Sequence, residues 1–196
     1  MAREFDTLTA AARACAACER LPLGPRPIFQ INESARILIA GQAPGRRTHD
    51  KGIPFDDPSG ERLRSWLGVS REAFYDPRKF AIIPMGLCYP GTAKGGDLPP
   101  RPECAPLWRA RLLSHLPNIQ LILTLGRYAR DWHIAKAQGE SLTMTARSWQ
   151  SHWPAILPLP HPSPRNIRWF KDNPWFDAEV IPVLRQRTAE LIRAKP

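Results

Sequence analysis

The side chains best suited to chemistry stand together in one hexapeptide behind an apolar run. Residues 161–166, His-Pro-Ser-Pro-Arg-Asn, directly follow residues 155–160, whose apolar character is typical of a short buried strand. Prolines at every second position from 158 to 164 restrict the backbone and keep the loop stiff. A stiff loop that presents an imidazole, a hydroxyl, a guanidinium and an amide beyond a strand is typical of a site in an α/β protein. The alternative is a proline-rich connection with a solvated histidine.

A second loop of the same kind occurs earlier in the chain. Residues 41–45, Gly-Gln-Ala-Pro-Gly, follow a predicted strand at 36–40, in which Arg36 precedes four apolar residues. A tight glycine turn after a strand brings backbone N–H groups close to a ligand. The polar and basic residues 46–57 come next and are predicted to form a surface loop. This segment contains Gly-Ile-Pro-Phe at 52–55.

The four cysteines form two pairs, which point to a metal. Cys15 and Cys18 are spaced as C-x2-C, and Cys88 and Cys104 as C-x15-C, with 69 residues between the pairs. Two disulfides are not expected in a reducing compartment, whereas paired thiolates suit a metal ion or cluster. The second spacing is too wide to establish zinc. A structural zinc and four unliganded buried thiols both stay open as alternatives.

The overall charge points to a polyanionic partner. Lys and Arg exceed Asp and Glu by 28 to 18, which gives a net charge of +10. A protein this basic is a candidate for binding nucleic acid, and a basic surface that only serves solubility is the alternative. No apolar run approaches the ~20 residues that span a bilayer, and the first residues lack the apolar core of a secretory signal. We therefore expect a cytoplasmic monomer that does not bind membranes.

The elements that must position these loops alternate along the chain. Apolar β-branched runs predict strands at 36–40, 79–85, 120–125 and 155–160. Helical spacing and caps predict helices at 5–20, 58–67, 103–116, 127–137 and from about 177 or 182 to 194. Residues 89–102 are predicted to be a Pro/Gly loop, and 139–151 are left unassigned. This order predicts an α/β fold: a single three-layer αβα domain over residues 1–196, with a central four-stranded, mainly parallel sheet. The three loops that carry the candidate site residues, at 41–45, 84–88 and 161–166, then lie at one edge of the sheet.

In this arrangement the chain resembles the uracil-DNA glycosylase superfamily. In that superfamily a Gly-x-x-Pro-Gly-type motif follows the first strand, a Gly-x-Pro-Phe segment supplies an aromatic residue, and a His-Pro-Ser loop follows the fourth strand. The three motifs at 41–45, 52–55 and 161–163 match in order and spacing. The resemblance covers about residues 10–190. It implies base excision repair of uracil-containing DNA, single- or double-stranded, by a monofunctional glycosylase.

The cysteine pattern is similar to that of the iron–sulfur branch, family 4. That branch has C-x2-C near the N-terminus and two cysteines around the loop after the second strand. The resemblance therefore implies a [4Fe-4S] cluster on Cys15, Cys18, Cys88 and Cys104, with a structural role. The loop after strand four instead resembles the single-strand-selective monofunctional branch, where it reads His-Pro-Ser-Pro-Arg-Asn. The chain thus resembles a divergent member.

The resemblance also implies roles for individual residues. His161 would donate a hydrogen bond to the base carbonyl where negative charge develops. Phe55 would stack on the flipped base, Ser163 and nearby backbone would hold the strand, and Arg165 or Asn166 would fill the gap in the base stack. The remaining residues implied to contact substrate are Gly41, Ala43, Pro44, Met85 and Pro164.

The first motif departs from the iron–sulfur branch at its acidic positions. That branch has Glu where this chain has Gln42, and other branches have Asp or Asn where this chain has Ala43. The group that orients the attacking water is therefore not the usual one. Asp50 is the candidate, with His49, Gln42 and main-chain carbonyls as competitors, and a solvated carboxylate is the alternative for Asp50.

A further departure concerns base recognition. In much of the superfamily an Asn beyond the second strand reads the Watson–Crick edge of uracil, and here that place falls at Pro84, beside Met85 and Gly86. An apolar wall discriminates weakly, so we expect a broad enzyme that takes uracil first and then other deaminated or modified bases. Backbone groups near Pro84 and Gly86 are expected to do part of the reading, with Asn166 as an alternative amide.

A non-enzymatic interpretation also fits part of the sequence. A basic, four-cysteine metal module could bind nucleic acid or damaged DNA without cleaving it, and the missing acidic residues favour this alternative. The intact His-Pro-Ser loop, together with Phe55, favours the enzyme.

Overall fold

The structure is a computed structural model that describes residues 3–94 and 96–193. The strands are β1 Ile37–Ala40, β2 Phe80–Ile82, β3 Thr92–Ala93, β4 Gly96–Asp97, β5 Leu121–Leu125 and β6 Ile156–Leu159. The α-helices are α1 Glu4–Arg13, α2 Arg46–Lys51, α3 Pro58–Leu67, α4 Arg71–Phe74, α5 Cys104–Ser114, α6 Arg127–His133, α7 Leu142–Arg147, α8 Ile167–Asp172 and α9 Ile181–Arg193. Short 3-10 turns occur at Ala135–Ala137, Trp149–Ser151 and Pro164–Asn166, and a π turn at Phe176–Val180 precedes α9.

The central sheet contains four parallel strands in the order β2-β1-β5-β6. All four residues of β1 are buried, which explains its uninterrupted apolar sequence, since helices cover both faces of a parallel sheet. Ile39 pairs with Ile82 on one side and with Leu123 on the other, so β1 is interior to the sheet. The predicted sheet is confirmed.

Two apolar clusters, one on each face, hold the layers together. On one face Leu38, Ala81 and Ile83 pack with residues of α1 and α5, including Leu8 and Leu112. On the other face the side chains that alternate with them along the strands pack with α3 and α9. Members of that second cluster include Ile37, Ile39, Leu63, Leu67, Leu184 and Leu191. The three-layer αβα architecture follows directly from this alternation of side chains along buried strands.

Several local predictions were wrong. Residues 46–51 form α2 and not a loop, because Thr48 and His49 give this charged segment a buried side. The first helix ends at Arg13, well before residue 20, and the 89–102 segment contains the β3–β4 hairpin. The unassigned region 139–151 contains α7. By contrast, the last helix begins at Ile181, one residue before the predicted Pro182, and its predicted end at Ala194 lies outside the described residues.

The parallel sheet brings the three loops that carry the candidate site residues to one edge, as predicted. The loops at 41–45, 84–88 and 161–166 all follow the carboxyl ends of their strands. The pairing of β1 with β2 also continues beyond both strands, since Met85 N–H donates to the Gly41 carbonyl at 2.9 Å. Within residues 3–94 and 96–193, no helix combines the length and the apolarity needed to cross a membrane.

Candidate active site

A cleft of about 550 Å³ opens at the carboxyl edge of the sheet, between the first loop and the His161 loop. This volume lies within the ~300–1,000 Å³ range of small-molecule sites. Nine of the residues expected to act in catalysis or substrate binding line it: Gly41, Gln42, Ala43, Pro44, Phe55, His161, Ser163, Pro164 and Arg165. Residues far apart in the sequence thus converge on one cavity. The cleft does not include Asp50, Met85 or Asn166.

His161 is held with one ring nitrogen free to donate into the cleft. Its Nδ1 accepts the Ser163 backbone N–H at 3.2 Å, so in the neutral ring the proton sits on Nε2. Burial lowers the pKa of His161, while the charges of Asp57 and Asp97 oppose this and Arg165 adds to it. The ring is therefore neutral at pH 7 and offers Nε2–H as a hydrogen-bond donor.

The loop that carries His161 is braced by its own polar side chains. Asn166 Nδ2 donates to the His161 carbonyl at 2.8 Å, and Ser163 Oγ accepts the Arg165 backbone N–H at 3.2 Å. Arg62 on α3 donates to the Ser163 carbonyl at 3.3 Å. Asn166 therefore fixes the loop from within and does not contribute its amide to the cleft.

Phe55 occupies the opposite wall in a strained backbone conformation. Its φ is +56°, a left-handed value that is costly for an aromatic residue. The Phe55 carbonyl accepts from Arg64 Nη1 at 3.1 Å and lies so close to Gly60 that a Cβ there would collide with it. Tyr75 OH donates to the Pro54 carbonyl at 2.9 Å. These contacts maintain the strain and hold the ring at the cleft.

The segment after β2 contributes Pro84 to the cleft, whereas Met85 packs into a small buried cluster with Ala40, Ala105 and Ala129. Met85 N–H and Gly86 N–H donate to the carbonyls of the first loop, each at 2.9 Å. The Pro84 carbonyl accepts from Arg109 at 3.4 Å. Both N–H groups and the Pro84 carbonyl therefore already have a hydrogen-bond partner within the protein.

A buried guanidinium, paired with a neutral imidazole, supports this segment from behind. Arg109 is 1% exposed and donates to the Ile83 carbonyl at 2.8 Å. Its other Nη contacts His133 Nε2 at 2.6 Å. Burial lowers the pKa of Arg109 to about 10, so it stays charged at neutral pH. Burial, with the Arg109 charge, lowers the pKa of His133 to about 3, so His133 stays neutral and accepts.

Asp50 lies outside the cleft. It sits on α2, half exposed, and accepts from Arg46 Nε at 3.0 Å. It borders a separate surface depression beside Lys51 and Glu61. The helical geometry of residues 46–51, which the sequence analysis did not predict, accounts for this placement. His49 is buried on the same helix, 6.0 Å from the Tyr89 ring.

Two carboxylates that the sequence analysis missed line the cleft instead. Asp57 caps α3, and its Oδ1 accepts the Gly60 N–H at 2.9 Å. The signal for Asp57 was present, since Asp-Pro-Ser-Gly-Glu is a helix start that the prediction began one residue later, at Pro58. Asp97 lies on β4 and is exposed at the rim.

Asp97 is oriented by a short hydrogen-bond chain in the hairpin. Thr92 Oγ1 donates its proton to Asp97 Oδ1 at 3.0 Å. The Tyr89 hydroxyl, whose oxygen is 2.6 Å from Thr92 Oγ1, is therefore the donor to Thr92. Gln42 Nε2 donates to the Leu98 carbonyl at 2.9 Å and ties the first loop to the end of the same hairpin. The β3–β4 hairpin is thus attached to the cleft at its base.

The four cysteines meet at a second, smaller cavity. All four are free thiols, and Cys15, Cys18, Cys88 and Cys104 line it together with Leu21, Leu87, Arg101 and neighbouring proline and glycine residues. Leu87 N–H points to Cys104 Sγ at 3.2 Å, and Trp108 Nε1–H to Cys15 Sγ at 3.1 Å. Burial raises the pKa of Cys88 and of Cys104 to about 11 each, and raises that of Cys18. Across the described residues, no three or more His, Cys, Asp or Glu side chains converge closely enough to bind one metal ion.

Comparison with known proteins places these sites in context. The sequence model of the uracil DNA glycosylase superfamily matches residues 28–185, which is more than half of the chain. Among solved structures, the chain is similar to an NMR structure from Methanosarcina acetivorans whose protein is provisionally assigned as a uracil DNA glycosylase. That match has 16% identity and a TM-score of 0.48, and it covers 82% of this chain and 97% of the other.

The brace behind Phe55 generates a stability prediction. Gly60→Ala introduces a Cβ that must displace the Phe55 carbonyl, which is backbone and cannot move freely. Helix propensity alone would favour alanine by about 1 kcal/mol. We expect instead a loss of about 2 kcal/mol or more in the free energy of unfolding, measured by chemical denaturation.

Ser65→Ala is the matched control, because Ser65 is exposed on the same helix. It should leave stability nearly unchanged. A Gly60→Ala protein that is more stable than the wild type would contradict the close packing of Gly60 against the Phe55 carbonyl.

Proposed function

The chain belongs to the uracil-DNA glycosylase superfamily, whose members act on DNA, and from this premise we propose that it is a monofunctional glycosylase that excises uracil. The observation that carries the proposal is the neutral His161, fixed with Nε2–H as donor in the same cleft as Phe55. Hydrolysis of the N-glycosidic bond would leave an abasic site for base excision repair.

The cleft residues suit the demands of this reaction. A base stacked in DNA must be turned out into the cleft, where Phe55 would stack on its face. When the C1′–N1 bond breaks, its electron pair stays with the base, and negative charge grows on the base carbonyl. His161 Nε2–H would stabilise this charge, an effect worth roughly 3–4 kcal/mol for a preorganised donor. Because the ring is neutral, it would donate a hydrogen bond to the leaving base and keep its proton.

Asp57 is our candidate for orienting the attacking water. It lines the cleft, and its charge acts on His161 more strongly than that of Asp97. The cap on α3 engages Oδ1 and fixes the carboxylate. A fixed carboxylate beside the sugar would both orient the water and favour the positive charge that develops on the sugar. We therefore propose Asp57 for this role in place of Asp50, and a carboxylate in the cleft favours the enzyme over the non-catalytic module.

The rim of the cleft supplies cations for the DNA backbone. Arg47 and Arg165 are exposed and line the cleft in a protein of net charge +10. Such residues bind phosphates without reading sequence. We propose DNA, single- or double-stranded, as the partner.

Base recognition is proposed to be broad. The wall at Pro84 presents a proline ring, Met85 lies behind it, and Asn166 braces its own loop. Neither Pro84 nor Met85 has a side-chain amide, and the Asn166 amide bonds to its own loop. We therefore propose that none of these three side chains reads the uracil edge strictly. Uracil remains the first substrate, with hypoxanthine, xanthine or 5-substituted uracils after it.

We propose that the cysteine cavity holds a [4Fe-4S] cluster. The residues fit this group: four thiols share one cavity, with N–H donors directed at two sulfurs and an apolar surround. Cys15, Cys18, Cys88 and Cys104 would hold the cluster through their sulfurs. The cluster would supply structural cross-linking, and its positive irons would favour the thiolates that burial disfavours. Zinc is the alternative.

The central prediction concerns release of bases. Oligonucleotides that contain uracil, hypoxanthine, xanthine or 5-hydroxymethyluracil are incubated with the protein and cleaved with alkali. We expect fastest release of uracil, slower release of at least one other base, and a loss of about two to three powers of ten in kcat for His161→Ala.

Binding of the same DNA by His161→Ala should stay close to the wild-type value, because phosphate contacts dominate affinity. Equal losses in binding and turnover would make His161 structural. Binding without any base release by the wild-type protein would favour the non-catalytic module.

A matched pair of variants tests the water-orienting carboxylate. Asp57→Asn removes the charge but keeps an oxygen for the helix cap, since Asn is also a good N-cap residue. We expect kcat on uracil to fall by about two powers of ten or more, while stability changes little. Asp50→Asn, the control outside the cleft, should stay within about twofold. The reverse pattern would return the role to Asp50.

The cluster has a spectroscopic test. Protein purified without oxygen should be brown, with broad visible absorption that bleaches on reduction or loss of the cluster. Cys88→Ala should lower stability more than it lowers the intrinsic rate of base release, because the cluster cross-links loops. Colourless protein with one zinc per chain, prepared under the same conditions, would refute the cluster.

A further inference from the structure

We propose that Arg62 is a positioning residue, which keeps the His161 imidazole in register with Asp57 across the cleft. This inference rests on the proposed glycosylase function. The described residues that line the cleft do not include Arg62, so its side chain would touch neither the base nor the sugar. Arg62 acts instead through the backbone of the loop that carries His161.

Helix α3 connects the two walls of the cleft. Asp57 caps the start of α3, and its Oδ1 accepts the Gly60 N–H at 2.9 Å, which fixes the carboxylate to the helix. Arg62 lies further along the same helix, and its Nη1 donates to the Ser163 carbonyl at 3.3 Å. Because the helix backbone is closed by its own hydrogen bonds, this single bond sets where the His161 loop lies relative to Asp57.

Ser163 passes the constraint on to the imidazole. Its carbonyl accepts from Arg62, while its backbone N–H donates to His161 Nδ1 at 3.2 Å. A displacement of Ser163 therefore moves the group that orients the ring. Since Nε2–H is the donor to the leaving base, the aim of that donor depends on Arg62. An error of about 1 Å in such a position can reduce a rate by about 100-fold.

The Arg62 guanidinium makes a second contact with the same part of the chain. It lies over the Phe170 ring, 5.0 Å from its centroid. Phe170 belongs to α8, which follows the His161 loop, and its ring also packs on Trp66 of α3 with centroids 5.3 Å apart. A planar guanidinium can stack and donate at once, which an ammonium cannot. The half-buried Arg62 is thus engaged within the protein, unlike the exposed arginines at the rim.

The first test separates catalytic turnover from substrate binding. Arg62→Met keeps a long side chain but removes the donor, and Arg62→Lys keeps a donor. On uracil-containing DNA we expect kcat of Arg62→Met to fall about tenfold or more while KM stays within about twofold. Arg62→Lys should recover part of the loss in kcat.

Arg185→Met is the matched control. Arg185 donates to the Ser65 carbonyl of α3 at 2.9 Å, outside the cleft, so both variants remove an arginine that bonds to one backbone carbonyl. Arg185→Met should leave kcat unchanged, and the two variants should lose similar stability in chemical denaturation. An equal loss of kcat in both would make Arg62 a general structural residue and overturn the proposal.

Salt dependence distinguishes positioning from phosphate binding. A phosphate-binding arginine weakens DNA affinity when it is lost and lowers the slope of log K against log salt by about one. Arg47→Met, which removes an exposed cation at the rim, should behave in this way. Arg62→Met should keep the wild-type affinity and slope. A reduced slope in Arg62→Met would show that Arg62 binds phosphate.

Nuclear magnetic resonance separates this inference from the proposed function. The ¹⁵N signals of His161 report which ring nitrogen carries the proton and whether Nδ1 accepts a hydrogen bond. Arg62→Met should shift the Nδ1 signal towards that of a nitrogen without a donor, and Arg62→Lys should restore it. Unchanged His161 signals in Arg62→Met would overturn the assignment. Absence of uracil release by the wild-type protein would refute the glycosylase but leave this result decisive for Arg62.

Discussion

The pairing of the first two strands does not stop where the strands end, and both sites depend on this continuation. Ile83 N–H donates to the Ile39 carbonyl at 3.0 Å, and Met85 and Gly86 continue the series onto the first loop at 2.9 Å each. Gly86 then lies between Ala43 and Pro100, where a Cβ would meet the Pro100 Cβ at 3.0 Å. Backbone pairing thus sets the position of Pro84 at the cleft and, two residues after Gly86, of Cys88 at the cysteine cavity. One series of backbone hydrogen bonds thus aligns the candidate active site with the cysteine cavity.

A buried guanidinium, that of Arg109, supports the segment after β2, and burying this charge costs free energy. Arg109 gives up its hydration, and in return it satisfies backbone carbonyls that leave the sheet. The low pKa of His133 is part of the same arrangement, because a neutral imidazole can accept from Arg109 without adding a second buried charge. An apolar residue at position 109 would avoid the desolvation but would leave those carbonyls without a donor. The position of Pro84 at the cleft is therefore coupled, through Arg109, to the neutral state of His133 on α6.

Much of the fold and part of the candidate site could be predicted from the sequence. Buried parallel strands have an unambiguous apolar signal, so the sheet and the shared edge of the three loops followed from residues such as Ile37–Ala40. The six charged and polar residues of α2 carry no such signal, because tertiary burial of Thr48 and His49 makes this helix form. That omission misplaced Asp50, since a helix turns its side chain away from the cleft. The hydrogen bond from Asn166 to its own loop could not be predicted either, because sequence does not reveal which partner satisfies a side-chain amide.

The segment between Cys88 and Cys104 has one further property. Both of its ends border the same cavity, while its middle forms a hairpin that supplies Thr92 and Asp97 to the cleft and is followed by Leu98, whose carbonyl accepts from Gln42. The conformational entropy lost in closing a segment whose ends are already fixed grows slowly with its length. The hairpin can consequently be lengthened, shortened or exchanged while the sheet stays undisturbed. For protein engineering, this makes the hairpin a natural cassette for changing the rim of the cleft.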